Sequence, residues 1–117
     1  MVDLHAARVV TQDSDRAALK QAVERLVAAL SPEQIYLFGS QARGDATDDS
    51  DYDLLVVVAH SDEPSYRRAQ AAYHALWGVR LPLEVVVFTR AEFDYQLPAL
   101  ASLPATVVRE GRLLYAR

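Results

Sequence analysis

The chain has 117 residues, a formal net charge of −4, 51% hydrophobic and 24% charged residues, and no cysteine. That length suits one domain, residues 1–117, burying about two-thirds of its unfolded surface in a single core, and the lack of cysteine excludes disulfides, thiolate zinc sites and cysteine nucleophiles. The acidic balance argues against an extensive nucleic-acid surface, and with no long apolar run and no basic-then-apolar start the expectation is a soluble, cytoplasmic protein without a membrane partner.

From about Ser14 to Leu30, apolar residues at Leu19, Ala22, Val23, Leu26, Val27 and Leu30 mark one helical face, with Asp13 or Ser14 as the cap and Pro32 as the stop. Ile35 to Phe38 reads as a short buried strand that delivers Gly39 and Ser40 at its carboxyl end. A brief helical turn and a polar loop lead to a second strand over Asp51 to Ala59. A second long helix is expected from about Pro64 to Trp77, with Tyr66, Ala69, Tyr73, Leu76 and Trp77 on one face, Arg67 and Arg68 on a solvated one, and Gly78 as its stop. Leu83 to Phe88 is the third strand. Thr89-Arg90-Ala91-Glu92 has capping-box spacing and starts a further helix, broken by Pro98, and a last helical piece runs from about Pro104 to Gly111 before a short extended tail. Strands interleaved with helices predict an α/β (α+β) fold, a small mixed sheet packed with helices.

The densest chemistry lies in GSQARGDATDDSDYDLLVVV, residues 39–58, where five carboxylates fall between Asp45 and Asp53. Like charges so crowded are costly unless water or cations neutralise them. A strand alternates its faces, so Asp51 and Asp53 point the same way about 7 Å apart, close enough to converge on shared hard cations. Turn-forming aspartates at a solvated strand entrance are the alternative. A calcium loop fails, because Leu54 stands where the sharp-turn glycine is needed and the apolar residues after it supply no oxygens. Glu84 is the sole charge in the strand PLEVVVF and a candidate third ligand, unless it occupies an edge position facing water or Arg80. Gly39 allows unusual dihedrals and close approach, and Ser40 at a helix start leaves amides aimed at an anion. Arg43 is placed to bridge phosphate oxygens or to pair with Asp45 or Asp48. Lys20 is the only lysine and no G-x-x-x-x-G-K occurs, which excludes a Walker loop. The three histidines lack the i, i+4 spacing of a helical zinc pair, and no G-x-S-x-G marks a nucleophile elbow.

This pattern of Gly39-Ser40, ten residues and then Asp51-Tyr52-Asp53 resembles the signature of the polymerase-β-like nucleotidyltransferases, most closely their minimal (MNT) form. The likeness extends to Ala42-Arg43-Gly44, to LEVVVFT (83–89) with its acid, and to the closing REGRLLY (109–115), about residues 15 to 115 in all. It implies a polymerase-β-like core and transfer of AMP from ATP to a hydroxyl, with release of pyrophosphate. Asp51, Asp53 and Glu84 would be the catalytic and metal-binding carboxylates for two Mg2+ ions, with Mn2+ as a substitute, while Gly39, Ser40 and Arg43 would hold the nucleoside triphosphate. Glu84 departs from the family's usual aspartate by one methylene. MNT proteins commonly act as antitoxins beside HEPN ribonuclease toxins, some of which they adenylylate on tyrosine, so the resemblance implies a HEPN-type partner and a hetero-oligomer. The alternatives are a small-molecule, aminoglycoside-type nucleotidyltransferase and a catalytically silent antitoxin binding module.

Overall fold

The computed structural model describes residues 4–47 and 50–117, with side chains from residue 14 onward; Asp48 and Asp49 of the acidic loop lie outside the described residues. The elements are α1 (Leu4–Leu30), β1 (Gln34–Phe38), α2 (Ser40–Arg43), β2 (Tyr52–Val58), α3 (Ser65–Ala75), β3 (Leu83–Thr89), α4 (Arg90–Gln96), α5 (Leu103–Glu110) and β4 (Arg112–Ala116). The expected mixed sheet packed with helices is what the chain forms. Helix α1 begins ten residues before the expected cap, because nothing between Leu4 and Ser14 breaks it: there is no proline or glycine, and Asp13 and Ser14 are simply helical. It ends as Ser31 turns to φ 47° ahead of Pro32.

The four strands lie in the order β3-β2-β1-β4. Strand β1 is antiparallel to both β2 and β4, whereas β2 and β3 are parallel and joined through α3. The extended tail expected after Gly111 is thus a strand of the sheet. Helices cover both faces, which is why Leu54 to Val58 are all buried and read in sequence as an unbroken apolar run. On one face Leu54, Val56, Val85 and Val87 pack with Ala22 and Leu26 of α1 and Ala72 of α3. On the other, Leu55 and Val57 pack with Phe93 of α4 and Val107 of α5. The capping box at Thr89 forms as expected: its side chain accepts from the Glu92 N–H, and Glu92 accepts from the Thr89 N–H.

Helix α3 corrects the sequence reading. Its buried residues are Arg68 and Ala72, continued by Leu76 at the C-cap, while Tyr66, Tyr73 and, past its end, Trp77 are exposed. Placing Arg68 on the solvated face was therefore wrong, and the aromatics do not form the packing face. The buried stripe follows 68, 72 and 76 because a salt bridge from Arg68 to Glu92, 2.8 Å, partners the end of the guanidinium under cover, which a hydrophobic count cannot register. Among the described residues, no helix is long and apolar enough to cross a membrane.

Candidate active site

Strand order assembles the site. Register places Asp53 opposite Phe38 of β1 on one side and opposite Glu84 of β3 on the other. Adjacent strands lie about 4.8 Å apart, and Asp53 and Glu84 share the parity of the residues that pack on α4 and α5, namely Leu55, Val57, Val86 and Phe88. The two carboxylates therefore stand side by side on that face, at the end of the sheet where β1 delivers its turn.

That turn is Gly39, at φ 77° and ψ −160°, followed by the single helical turn of α2. The Gly39 carbonyl accepts from the Ala42 and Arg43 N–H groups, and the Ser40 carbonyl accepts from Gly44 and Asp45. The Ser40 and Gln41 N–H groups at the open end have no partner among the described residues. A methyl group built on Gly39 would overlap Asp53 Oδ2, so the turn and the aspartate are fitted to one another. Gln41 Nε2 donates to the Ser50 carbonyl at 3.3 Å, which ties α2 to the far end of the acidic loop.

Burial raises the Asp53 carboxyl's pKa, and the adjacent Glu84, through its charge and a shared hydrogen bond, and the charge of Asp51 push it the same way, while Arg43 opposes them. Asp51 is exposed at the strand entrance. Arg43 is exposed and pairs with Asp45 at 3.3 Å, so both of its expected roles remain compatible with its place beside the turn. Glu84 is exposed on an edge strand, not enclosed by apolar neighbours as its flanking sequence suggested. No ion pair with Arg80 forms among the described residues; what Glu84 faces is Asp53. Among the described residues no three acids or histidines form a ready-made metal cage. Tyr52, between the two aspartates, points to the opposite face and its hydroxyl donates to Asp15 of α1 at 3.4 Å. Sequence reading overlooked it, although strand alternation alone puts it on the other side.

A family model for the nucleotidyltransferase domain matches residues 17–113. The chain belongs to the nucleotidyltransferase domain family. Its fold is similar to the crystal structure of a candidate nucleotidyltransferase from Sulfolobus solfataricus, with 26% identity and a TM-score of 0.61 over 90% of this chain and 86% of that one. It is also similar in fold to a chain from the crystal structure of a toxin-antitoxin with AMP-PNP, with 24% identity and a TM-score of 0.55 over 84% of this chain and 73% of that one. No curated protein matches. In this nucleotidyltransferase domain, the matched span contains Gly39, Ser40, Arg43, Asp51, Asp53 and Glu84.

Proposed function

We propose that this nucleotidyltransferase-family protein is a divalent-metal-dependent enzyme that moves AMP from ATP to the hydroxyl of a tyrosine on a HEPN-type toxin, acting as its antitoxin. The observation that carries the reading is the Asp53–Glu84 pair across the parallel register, with the Gly39 turn fitted against Asp53.

The donor set fits magnesium or manganese: hard carboxylate oxygens, with Asp53 raised by burial and then by the charges of Glu84 and Asp51, are the groups a small dication relieves. Asp51, Asp53 and Glu84 would hold the metal, which would supply charge neutralisation at the phosphates and orient the attacking and leaving oxygens. The open N–H groups of Ser40 and Gln41 present donors to phosphate oxygens, and Gly39 lets the backbone approach without a side chain in the way. Arg43 reaches the same turn and contributes a planar fork of donors. In the transfer, the acceptor oxygen forms a bond to the α-phosphorus as the bond to the bridging oxygen breaks. Pyrophosphate leaves with the electron pair, and the carboxylate pair accepts the hydroxyl proton. The chain's contribution is mainly positioning and electrostatics.

The test is incubation with ATP labelled at the α-phosphate, magnesium and a HEPN protein bearing a tyrosine. Label should enter that tyrosine, and Asp53→Asn should lower the rate by about a hundredfold or more. Label on an aminoglycoside, with none on protein, would replace the reading by a small-molecule transferase. Tight metal-independent binding without label would replace it by a silent antitoxin.

A further inference from the structure

On the side of β3 away from β2, the sheet is open. A groove of about 440 Å³ runs along that edge between α3 and α4, lined by Tyr66, Arg68, Ala69, Val85, Val87 and Glu92 among others. Three observations show what it is built to hold. By alternation, Val85, Val87 and Thr89 turn their backbone groups outward. The Val85 N–H donates to the Tyr73 hydroxyl at 2.9 Å and the Thr89 N–H to Glu92 at 2.9 Å, while the Val87 N–H between them has no partner among the described residues. The edge is thus capped at both ends and left open at its centre.

The second observation is Arg68, whose side chain is 8% exposed. Its terminal nitrogens donate to the Glu63 carbonyl at 3.3 Å and to Glu92 Oε1 at 2.8 Å, yet its buried Nε has no partner among the described residues. A buried cationic donor without an acceptor is costly, and a carboxylate is its strongest match. The third is the aromatic stripe of Tyr66, Tyr73 and Trp77, exposed by 61%, 44% and 84%. These residues share one face of α3 and its C-terminal turn, and exposed aromatics are the residues over-represented in binding hot spots.

We propose that this edge groove docks a short extended segment of a partner protein that carries an acidic side chain. One residue of a strand added parallel to β3 donates to the Val85 carbonyl and accepts from the Val87 N–H, and the acidic side chain takes the free Nε of Arg68. A second copy of the chain fits less well: twofold pairing of two β3 edges would confront Arg68 with Arg68 and Glu92 with Glu92. Val87 lies roughly 10 Å beyond Glu84 along the strand, so a segment docked parallel to β3 points only its N-terminal end toward the carboxylate pair, and docking stands apart from transfer chemistry.

The probe is a seven-residue peptide, capped at both ends, in which valine and threonine alternate about a central glutamate, titrated into the 15N-labelled whole chain. Saturable amide shifts are expected at Val85 to Thr89 and Ala69, with binding roughly tenfold weaker for the lysine-centred peptide. Because Arg68→Gln can fail to fold, Ala69→Gln serves as the second variant: it fills the groove with a good helix former and should weaken the peptide by roughly tenfold with the melting temperature unchanged. No binding, equal binding of both peptides, or shifts elsewhere overturns the proposal. So does concentration-dependent dimerisation that Ala69→Gln abolishes, which would make the occupant a second copy.

Discussion

Replacing Gly39 by alanine imposes two separable costs. At φ 77° and ψ −160° the backbone lies in a region that only glycine occupies freely, and holding alanine there costs about 1–3 kcal/mol. The new methyl also overlaps Asp53 Oδ2, while Asp53 Cβ stands at an ordinary 3.6 Å. Relieving that overlap by moving the carboxylate or the turn adds about 1–3 kcal/mol. A chain of this size loses about 4 °C of melting temperature per kcal/mol, so Gly39→Ala should melt roughly 8–24 °C below wild type. In an Asp53→Ala background the overlap is gone and only the backbone share remains. Urea unfolding of wild type, both single variants and the double variant should give a coupling energy of about 1 kcal/mol or more. Equal costs for Gly39→Ala in the two backgrounds would refute the contact between turn and aspartate.

The Asp53 carboxyl, raised in the folded state chiefly by burial and by Glu84, stabilises the metal-free fold fully below its ordinary value of 3.8, and that contribution disappears as pH rises through the raised native value. Thermal melts of Asp53→Asn should therefore show a flatter profile and higher stability than wild type at neutral pH, with magnesium stabilising wild type more than the variant; parallel profiles would rule this out. Glu92 has the opposite sign. Its pKa is lowered, first by the Thr89 backbone N–H and also by Arg68, so its contribution is present above the ordinary 4.5 and is lost as pH falls through the lowered native value. Glu92→Gln should reduce stability at neutral pH and lessen the acid-side decline, as followed by circular dichroism. Phe93 is 2% exposed, stacked on Tyr36 at 6.1 Å and edge-on to Phe88 at 6.5 Å. Phe93→Ala should cost about 3–5 kcal/mol in urea unfolding, and a loss under about 1 kcal/mol would mean that α4 is not packed on the sheet.

Local chemistry is what a sequence carries, and here it was enough for most elements. The unbroken Leu54 to Val58 run, the Thr89-x-x-Glu92 box, Gly78 after α3 and the Gly39-Ser40 turn each depend on neighbours a few residues away, and each appears at its expected place. The Asp51-x-Asp53 alternation was read from the period of a strand, whereas β2 begins at Tyr52 and leaves Asp51 just before it. Glu84 was named as the lone charge of an apolar strand, with an exposed edge position as the alternative, and the exposed edge position is the one it occupies. What distinguishes an edge strand from a central one is the partner it lacks, and no property of LEVVVFT encodes that. The same limit hid Arg68, whose burial depends on Glu92 twenty-four residues away in sequence, and the role of the tail, which becomes β4 only because β1 offers it a free edge. Sequence alone named the candidate side chains, Asp51, Asp53, Glu84 and the Gly39-Ser40 turn. The parallel pairing of β2 with β3, a contact between segments separated by a whole helix, decided that Asp53 and Glu84 meet, because strand order is set by which non-local pairing buries both faces of the sheet and not by any residue's own preference.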